Sequence, residues 1–494
     1  MAGLMLPTVQ ELKAGPASTR QKALVALCAV VIVILAVEST LEAALGGNKL
    51  LLIVPIGVFV GIGMAVLGMV NFQNFVLCTI VLRASMDIVK PSSSNTGAAG
   101  VGTAGASGLD PAGALALLFI LVSYFWYLTR KREGRVAPRA SIHRVCLILF
   151  AGAGFLSIID SSNVVVSFLE AIRVTAVVVM LAVLEVMLVD REAIKKLIAA
   201  VYISAVVPVG LTMFNILTHH SQFSSGGFSR YQGTFSQPNP FAIYLTMLIV
   251  MGAAMFPHLT PKKKLMMFAL LICSLISLYY TYTRSAWIAV VIGLFAVAIL
   301  GRRRLMLGLM VGSIMLSVFA VPTIVQRFSD LGQSSSASGY ASNSLEWRFS
   351  YWGEVFPLAA KDPITGIGLK MSSFETSQQK EPHNDFLRAY VETGLVGTVA
   401  YLALLVSMCL VARHSMRFTK KRPRSYERSV AVGFAGCVIA FLLISVVSNV
   451  ITEVIVLWYY VAFAAAAYAV TQYRQNAILR GLPVPRDDDA VPAA

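Results

Sequence analysis

At 494 residues, with 57% hydrophobic and only 13% charged residues, the chain carries more apolar surface than a soluble core of its length hides. That excludes an ordinary soluble domain and predicts an all-α polytopic membrane protein. The net charge of +16 raises nucleic acid as a partner, but the basic residues gather at the ends of apolar runs, which is a topological signal and leaves no nucleic-acid partner to explain.

Apolar runs lie near 23–45, 50–70, 72–89, 113–129, 144–160, 168–189, 196–217, 239–257, 264–282, 285–301, 304–322, 395–412, 429–449 and 452–471. Most approach the roughly 17 to 25 residues a helix needs to cross a bilayer, which predicts about twelve to fourteen spans. The run 23–45 follows Lys13, Arg20 and Lys22 without a clear small-residue cleavage site, so it reads as a retained signal anchor. The weakest run is 72–89, because it carries Arg83 and Asp87. Arg130-Lys131-Arg132 with Arg135 and Arg139, Lys262-Lys263-Lys264, Arg302-Arg303-Arg304 and the cluster from Arg413 to Arg428 fall on one side if the spans alternate. This places both termini in the cytoplasm, the loops 90–112, 219–238 and 323–394 outside, and the surplus charge against membrane lipids. The expected division is a bundle over 1–322, a large outer loop over 323–394, the C-terminal transmembrane helices over 395–471 and a cytoplasmic tail over 472–494.

Cys28, Cys78, Cys146, Cys273, Cys409 and Cys437 fall in or beside apolar runs with no close pair, so neither disulfides nor a thiolate metal site is expected. Loop 90–112, with Ser92-Ser93-Ser94 and repeated Gly and Ala, reads as a flexible linker. Loop 219–238 holds His219-His220 and Arg230 and runs into Pro238-Asn239-Pro240. The two prolines are expected to bias that junction away from helix, leaving Asn239 either to present its amide to a cavity or to cap the following span.

The loop over 323–394 is too long for a simple connection and must carry structure of its own. Glu346 to Phe356 reads as an amphipathic helix with aromatic residues suited to an interface, Gly366-Ile367-Gly368 as a turn, and the run after Pro382 as a second helix leading through Gly394 and Gly397 into the next span.

Arg284, in Thr283-Arg284-Ser285-Ala286-Trp287, stands in a break barely longer than a turn between two apolar runs. A charge there is expensive unless it snorkels to water or meets a ligand, and a guanidinium fork matches the oxygens of a diphosphate. Arg348 and Arg230 are placed to add charge from neighbouring loops. His383 follows Pro382 at the start of a helix, where the positive end of the dipole keeps the ring neutral and able to accept a proton. The outer loops hold no Asp-x-Asp pair for a divalent metal, so arginines would carry the charge stabilisation instead.

The pattern Gly366-x-Gly368, then His383-Asn384-x-x-Leu387-x-x-x-x-Glu392-x-Gly394-x-x-Gly397, resembles the shared domain of bacterial O-antigen ligases and polymerases, and Thr283 to Trp287 is similar to the arginine motif that precedes it. The matching segments run from about Asn239 to Gly397. The resemblance implies a GT-C-like glycosyltransferase in the bacterial inner membrane, with its site facing the periplasm and no cofactor. It would transfer a glycan from undecaprenyl diphosphate to a hydroxyl of the lipid A core with inversion. Carried onto this chain, Arg284 would bind the diphosphate with help from Arg348, Arg230 or Lys370. His383 would be the general base, Asn384 and Asn239 would orient it or the sugars, and Glu392 would fix its helix through Arg388. Within the family a polymerase or a protein O-oligosaccharyltransferase is the alternative. A secondary transporter or lipid flippase, suggested by the embedded charges Glu38, Glu42, Arg83, Asp87, Glu170 and Arg173, is the reading from another class, against which such charges can simply pair, for example Glu170 with Arg173 one turn apart.

Overall fold

In apolar surroundings every backbone N–H and C=O must find its partner within the segment, so the long apolar runs become helices. The computed structural model describes residues 53–89, 111–132, 141–221, 223–225, 228–302 and 344–479. The anchor 23–45 with Glu38 and Glu42, nearly all of loop 90–112, the run 304–322, the first part of the long loop and the tail beyond 479 lie outside the described residues. So do Cys28, Arg135, Arg139, Arg303 and Arg304.

The described helices are α1 (Ile53–Val70), α2 (Phe72–Arg83), α3 (Pro111–Arg132), α4 (Ile142–Leu156), α5 (Val164–Met187), α6 (Arg191–Ser204), α7 (Val206–Leu217), α8 (Pro238–Met255), α9 (Pro261–Tyr280), α10 (Arg284–Leu300), α11 (Ser344–Val355), α12 (Asp385–Phe418), α13 (Tyr426–Val447) and α14 (Val454–Leu479). Eight segments are long and apolar enough to cross a membrane, and four shorter apolar helices accompany them. Together they account for every predicted run except 23–45 and 304–322. The protein is an all-α, multi-pass membrane protein.

Which helices sit centrally follows from how far round their apolar surface extends. In α14 a run of alanines, Ala462 and Ala464 to Ala467, is fully buried and lets neighbouring helices approach closely. It packs on α5, α12 and α13, while α13 packs on α8 and α10. By contrast α9 exposes Leu265, Met266 and Phe268, and α4 exposes Ile148 and Leu149, the apolar surface expected to meet lipid. The charges embedded among the described spans are paired: Arg83 with Asp87 at 3.1 Å, and Glu170 with Arg173 at 2.9 Å, one turn apart as expected. Cys78, Cys146, Cys273, Cys409 and Cys437 are free thiols.

Two expectations about local structure change. A short antiparallel hairpin, β1 (Phe223–Ser225) and β2 (Phe228–Arg230), precedes α8 and was not foreseen. Nor does Pro238-Asn239-Pro240 avoid helix, since α8 begins at Pro238 itself. The first four N–H groups of a helix have no intrahelical partner, so proline at the first and third positions costs nothing there. Asn239 is not the cap either, because Gln237 holds that position.

The predicted helix over 346–356 is α11, which turns Tyr351 and Val355 into a small core with Ile367, Met371, Val391 and Val166 of α5. Phe349, on its other face, is 66% exposed. The second predicted helix is continuous with the next span as α12, interrupted at Gly394, whose φ of 62° and ψ of −163° are not helical.

Candidate functional site

Between α9 and α10 the chain turns through Thr281, Tyr282 and Thr283, with Tyr282 in the left-handed region at φ 51°. Arg284 is therefore the first residue of α10, half-buried. Arg230, the last residue of β2, ties this turn down. Its Nε donates to the Thr281 carbonyl at 2.7 Å, and one terminal nitrogen donates to Asn239 Oδ1 at 2.9 Å and Thr283 Oγ1 at 3.1 Å. The Thr283 hydroxyl also donates to Asn239 Oδ1 at 3.1 Å, which explains why this N-cap threonine makes no capping bond. Tyr279 stacks on Trp287 at 5.7 Å beside the turn. The Arg230 guanidinium thus lies against the turn that leads into α10, whose first residue is Arg284, at the positive end of a helix dipole that favours anions.

A second cluster forms where α11 meets the start of α12. Trp352 Nε1 donates to the Pro382 carbonyl at 2.6 Å, and the Tyr351 hydroxyl contacts the Lys380 backbone, so the chain into His383 is clamped against α11. His383 itself has φ 50°, a strained conformation for a residue with a Cβ. Asn384 is the N-cap of α12 and accepts from Phe386 N at 2.9 Å and Leu387 N at 3.1 Å. The oxygen of its amide is therefore committed to the helix. Burial, aided by the Arg348 guanidinium and opposed by Glu381, pushes the His383 imidazole down to about 4. The ring is neutral at pH 7, with burial the first cause and the Arg348 charge the second, rather than the helix dipole invoked from the sequence. Arg348 is itself lowered by burial, and its Nε has no hydrogen-bond partner among the described residues. Trp347 meets the histidine ring edge-on at 5.7 Å.

Buried carboxylates hold this second cluster in place. Glu392 accepts from Arg388 Nε at 3.1 Å, as the i to i+4 spacing predicts, and also from Lys370 N at 2.8 Å and Ser372 Oγ at 2.5 Å. Arg388 reaches Glu381 at 3.0 Å as well. Backbone bonds from Ile367 N to Val391 O and from Gly368 N to Glu392 O, both 3.1 Å, dock the glycine turn on α12. Gly366, at φ 79°, lies so close that an added Cβ would stand 2.5 Å from the Glu392 carbonyl. Gly394, at φ 62°, is equally tight against the carbonyl of Ile364. Asp385, which the sequence did not single out, is fully buried. It accepts from Val450 N at 2.7 Å, Ile451 N at 3.0 Å and the Tyr401 hydroxyl at 3.0 Å.

A polar cavity of about 130 Å³ is walled by Lys370 and Glu381 from the long loop, Ser236 from the segment before α8, Glu170 and Arg173 from α5 and Glu453 from the α13–α14 loop, and Arg230, Arg284, Arg348 and His383 are not in its wall. Ser236 and Glu381 share its wall, so the start of α8 and the segment leading to His383 are at the same end of the bundle. Arg230 and Asn239 thus form one group, beside the turn that precedes Arg284; Arg348, His383 and Asn384 form another; and Lys370 lines the cavity. Among the described residues no group of three His, Cys, Asp or Glu side chains is arranged to hold a metal ion.

Residues 268–402 match the family model described as O-antigen ligase. The match includes Arg284, Arg348, Lys370, His383 and Asn384 and leaves out Arg230 and Asn239. No curated protein matches the chain.

Proposed function

We propose, from the match of residues 268–402 to the O-antigen ligase family model, that this membrane protein is an O-antigen ligase. On this reading it acts in the bacterial inner membrane, at the periplasmic face. It moves a glycan from undecaprenyl diphosphate to a sugar hydroxyl of the lipid A core. The observation that carries the reading is the joining of Arg230 to the turn that starts α10 with Arg284, a turn that lies within the segment matching the family model.

Arg284 and Arg230 would receive the diphosphate. As the bond between the anomeric carbon and the phosphate oxygen breaks, its electron pair leaves with the diphosphate, and fixed guanidinium groups in a partly dry site stabilise that charge without reorganising. The acceptor hydroxyl oxygen forms the new bond to the anomeric carbon from the opposite face, and its proton passes to His383. A positioned base of this kind contributes about two to four decades of rate. The anionic donor would also raise the histidine from its low value in the free protein towards the range where a base works best. Asn239 is held by Arg230 and Thr283, so it would orient the arginine, whereas Lys370 and the mixed charges of the cavity suit a hydroxyl-rich acceptor.

The test is glycan transfer by purified protein in nanodiscs, with undecaprenyl-diphosphate-linked glycan, lipid A core and EDTA. Transfer to the core that survives chelation and collapses in His383→Ala and Arg284→Ala supports the ligase. Elongation of the lipid-linked donor means polymerase, and no transfer to either acceptor returns the protein to the transporter class.

A further inference from the structure

We infer that Asn449, on the loop between α13 and α14, is a positioning residue for His383: its amide oxygen accepts the Nδ1 proton and so presents Nε2 as the proton acceptor. The inference rests on the glycosyl-transfer reading of His383. The Asn449 amide lies 3.2 Å from His383 Nδ1 through its Nδ2 position, and Asn449 is 5% exposed. Its Oδ1 position has no hydrogen-bond partner among the described residues. A half-turn of the amide exchanges the two atoms without moving any other group. With nitrogen facing the ring, Nδ1 must accept, the proton sits on Nε2, and His383 is no base. With oxygen facing the ring, Nδ1–H donates and the Nε2 lone pair is free. When Nε2 takes the acceptor's proton, the bond to Asn449 persists, so one ring orientation serves both protonation states.

Asn449 is fixed well enough for this task. The residues that follow it, Val450 and Ile451, donate their N–H groups to the Asp385 carboxylate at 2.7 and 3.0 Å, and the Tyr401 hydroxyl donates to the same carboxylate at 3.0 Å. Asp385 lies two residues after His383, so a single buried acid ties the loop to the start of α12. The other groups facing the histidine are Arg348 and Trp347 from α11, Lys380 and Glu381 from the preceding segment, and Arg388 from α12. Asn449 contributes a direct hydrogen-bond contact to an imidazole nitrogen.

The experiment uses the full chain in nanodiscs with two variants, Asn449→Ala and Asn449→Asp, each checked for a monodisperse fold. Diethyl pyrocarbonate, which reacts with the neutral imidazole, is followed on the His383 peptide by mass spectrometry from pH 4 to 8. Asn449→Asp places a carboxylate against Nδ1, and the midpoint of labelling is expected to rise by about one to three pH units. In transfer assays Asn449→Ala is expected to lose at least about tenfold in kcat with little change in KM, and Asn449→Asp to recover part of it, within the two to four decades a general base supplies. A labelling midpoint in Asn449→Asp equal to wild type, or a kcat for Asn449→Ala within about twofold of wild type, overturns the assignment. If wild-type protein transfers no glycan, the functional reading falls, while the labelling midpoint still decides whether Asn449 faces Nδ1.

Discussion

Removing the Glu392 side chain tests whether the carboxylate builds the site or touches substrate. In the folded protein it satisfies three donors at once: the Arg388 guanidinium, the Lys370 backbone N–H and the Ser372 hydroxyl. Arg388 and Glu392 are each 1% exposed, so Glu392→Ala leaves a guanidinium in the interior with Glu381 as its remaining ion-pair partner and Glu170 as a further charge. Breaking one side of a buried pair costs about 3–5 kcal/mol, and the two neutral donors raise the cost further, though not additively. Glu392→Gln keeps an oxygen for one or two of the donors and should cost less, about 1.5–3 kcal/mol, the range for a lost bond to a charged group. The assay is the midpoint of thermal aggregation for detergent-solubilised protein, read by size-exclusion chromatography, beside the initial rate of transfer. The expected order of stability is wild type, then Glu392→Gln, then Glu392→Ala, with rates following. A Glu392→Ala protein that melts with wild type yet transfers nothing would refute the structural role and make Glu392 a substrate contact.

Three further predictions concern separate parts of the site. Gly366→Ala should destabilise by about 1–3 kcal/mol from the left-handed backbone alone, with the clash at Glu392 added, whereas Gly353→Ala, whose new Cβ meets nothing within 4 Å, should fall within about 0.5 kcal/mol of wild type in the same melting assay. Arg230→Lys keeps the charge but cannot serve Thr281, Asn239 and Thr283 together, so kcat/KM for the donor should drop about ten- to a hundredfold. For pH, a base must be unprotonated to work: the acid limb of kcat/KM should lie near 4, the value for His383 in the free protein, and that of kcat should lie higher because the bound diphosphate favours imidazolium. The same depressed value means the unfolded chain takes up the proton first, so this group's contribution makes stability fall as pH drops from about 6.5 towards 4, which denaturation at several pH values will read.

The parts of this fold that obey a local rule were legible in the sequence. Apolar length located the described spans, and one-turn spacing gave the pairs Glu170 with Arg173 and Arg388 with Glu392. Pro382 marked the start of α12, while the capping role of Asn384 was not read. Missed features depend on contacts between distant segments, which leave no periodic trace. Arg230 and Thr283 are 53 residues apart, and Asn449 and His383 are 66 apart. Nothing near Asn449 distinguishes it from an ordinary polar residue at the end of a span. Asp385 was missed because its donors, Val450 and Ile451, lie 65 and 66 residues away. The error at Pro238 had a different source: the rule against helix before proline was applied to a first turn, where the missing donors are already orphans.

The chemistry proposed for this site needs two provisions at one carbon, positive charge for the departing diphosphate and a neutral base for the arriving hydroxyl. These provisions oppose each other, since guanidinium groups close to an imidazole keep it from accepting a proton. The structure separates them onto two helix starts, Arg284 on α10 and His383 before α12, and sets a mixed-charge cavity at the same end of the bundle. Arg348 is the group that lowers the histidine most after burial, so it belongs to the base's surroundings as much as to the anion's. Replacing Arg348 by methionine should therefore do two things at once: raise the labelling midpoint of His383 in the free protein, and weaken donor binding only if the diphosphate reaches that far. A raised midpoint with unchanged donor KM would confine the anion to Arg284 and Arg230, and an unchanged midpoint would refute the charge coupling between Arg348 and the histidine.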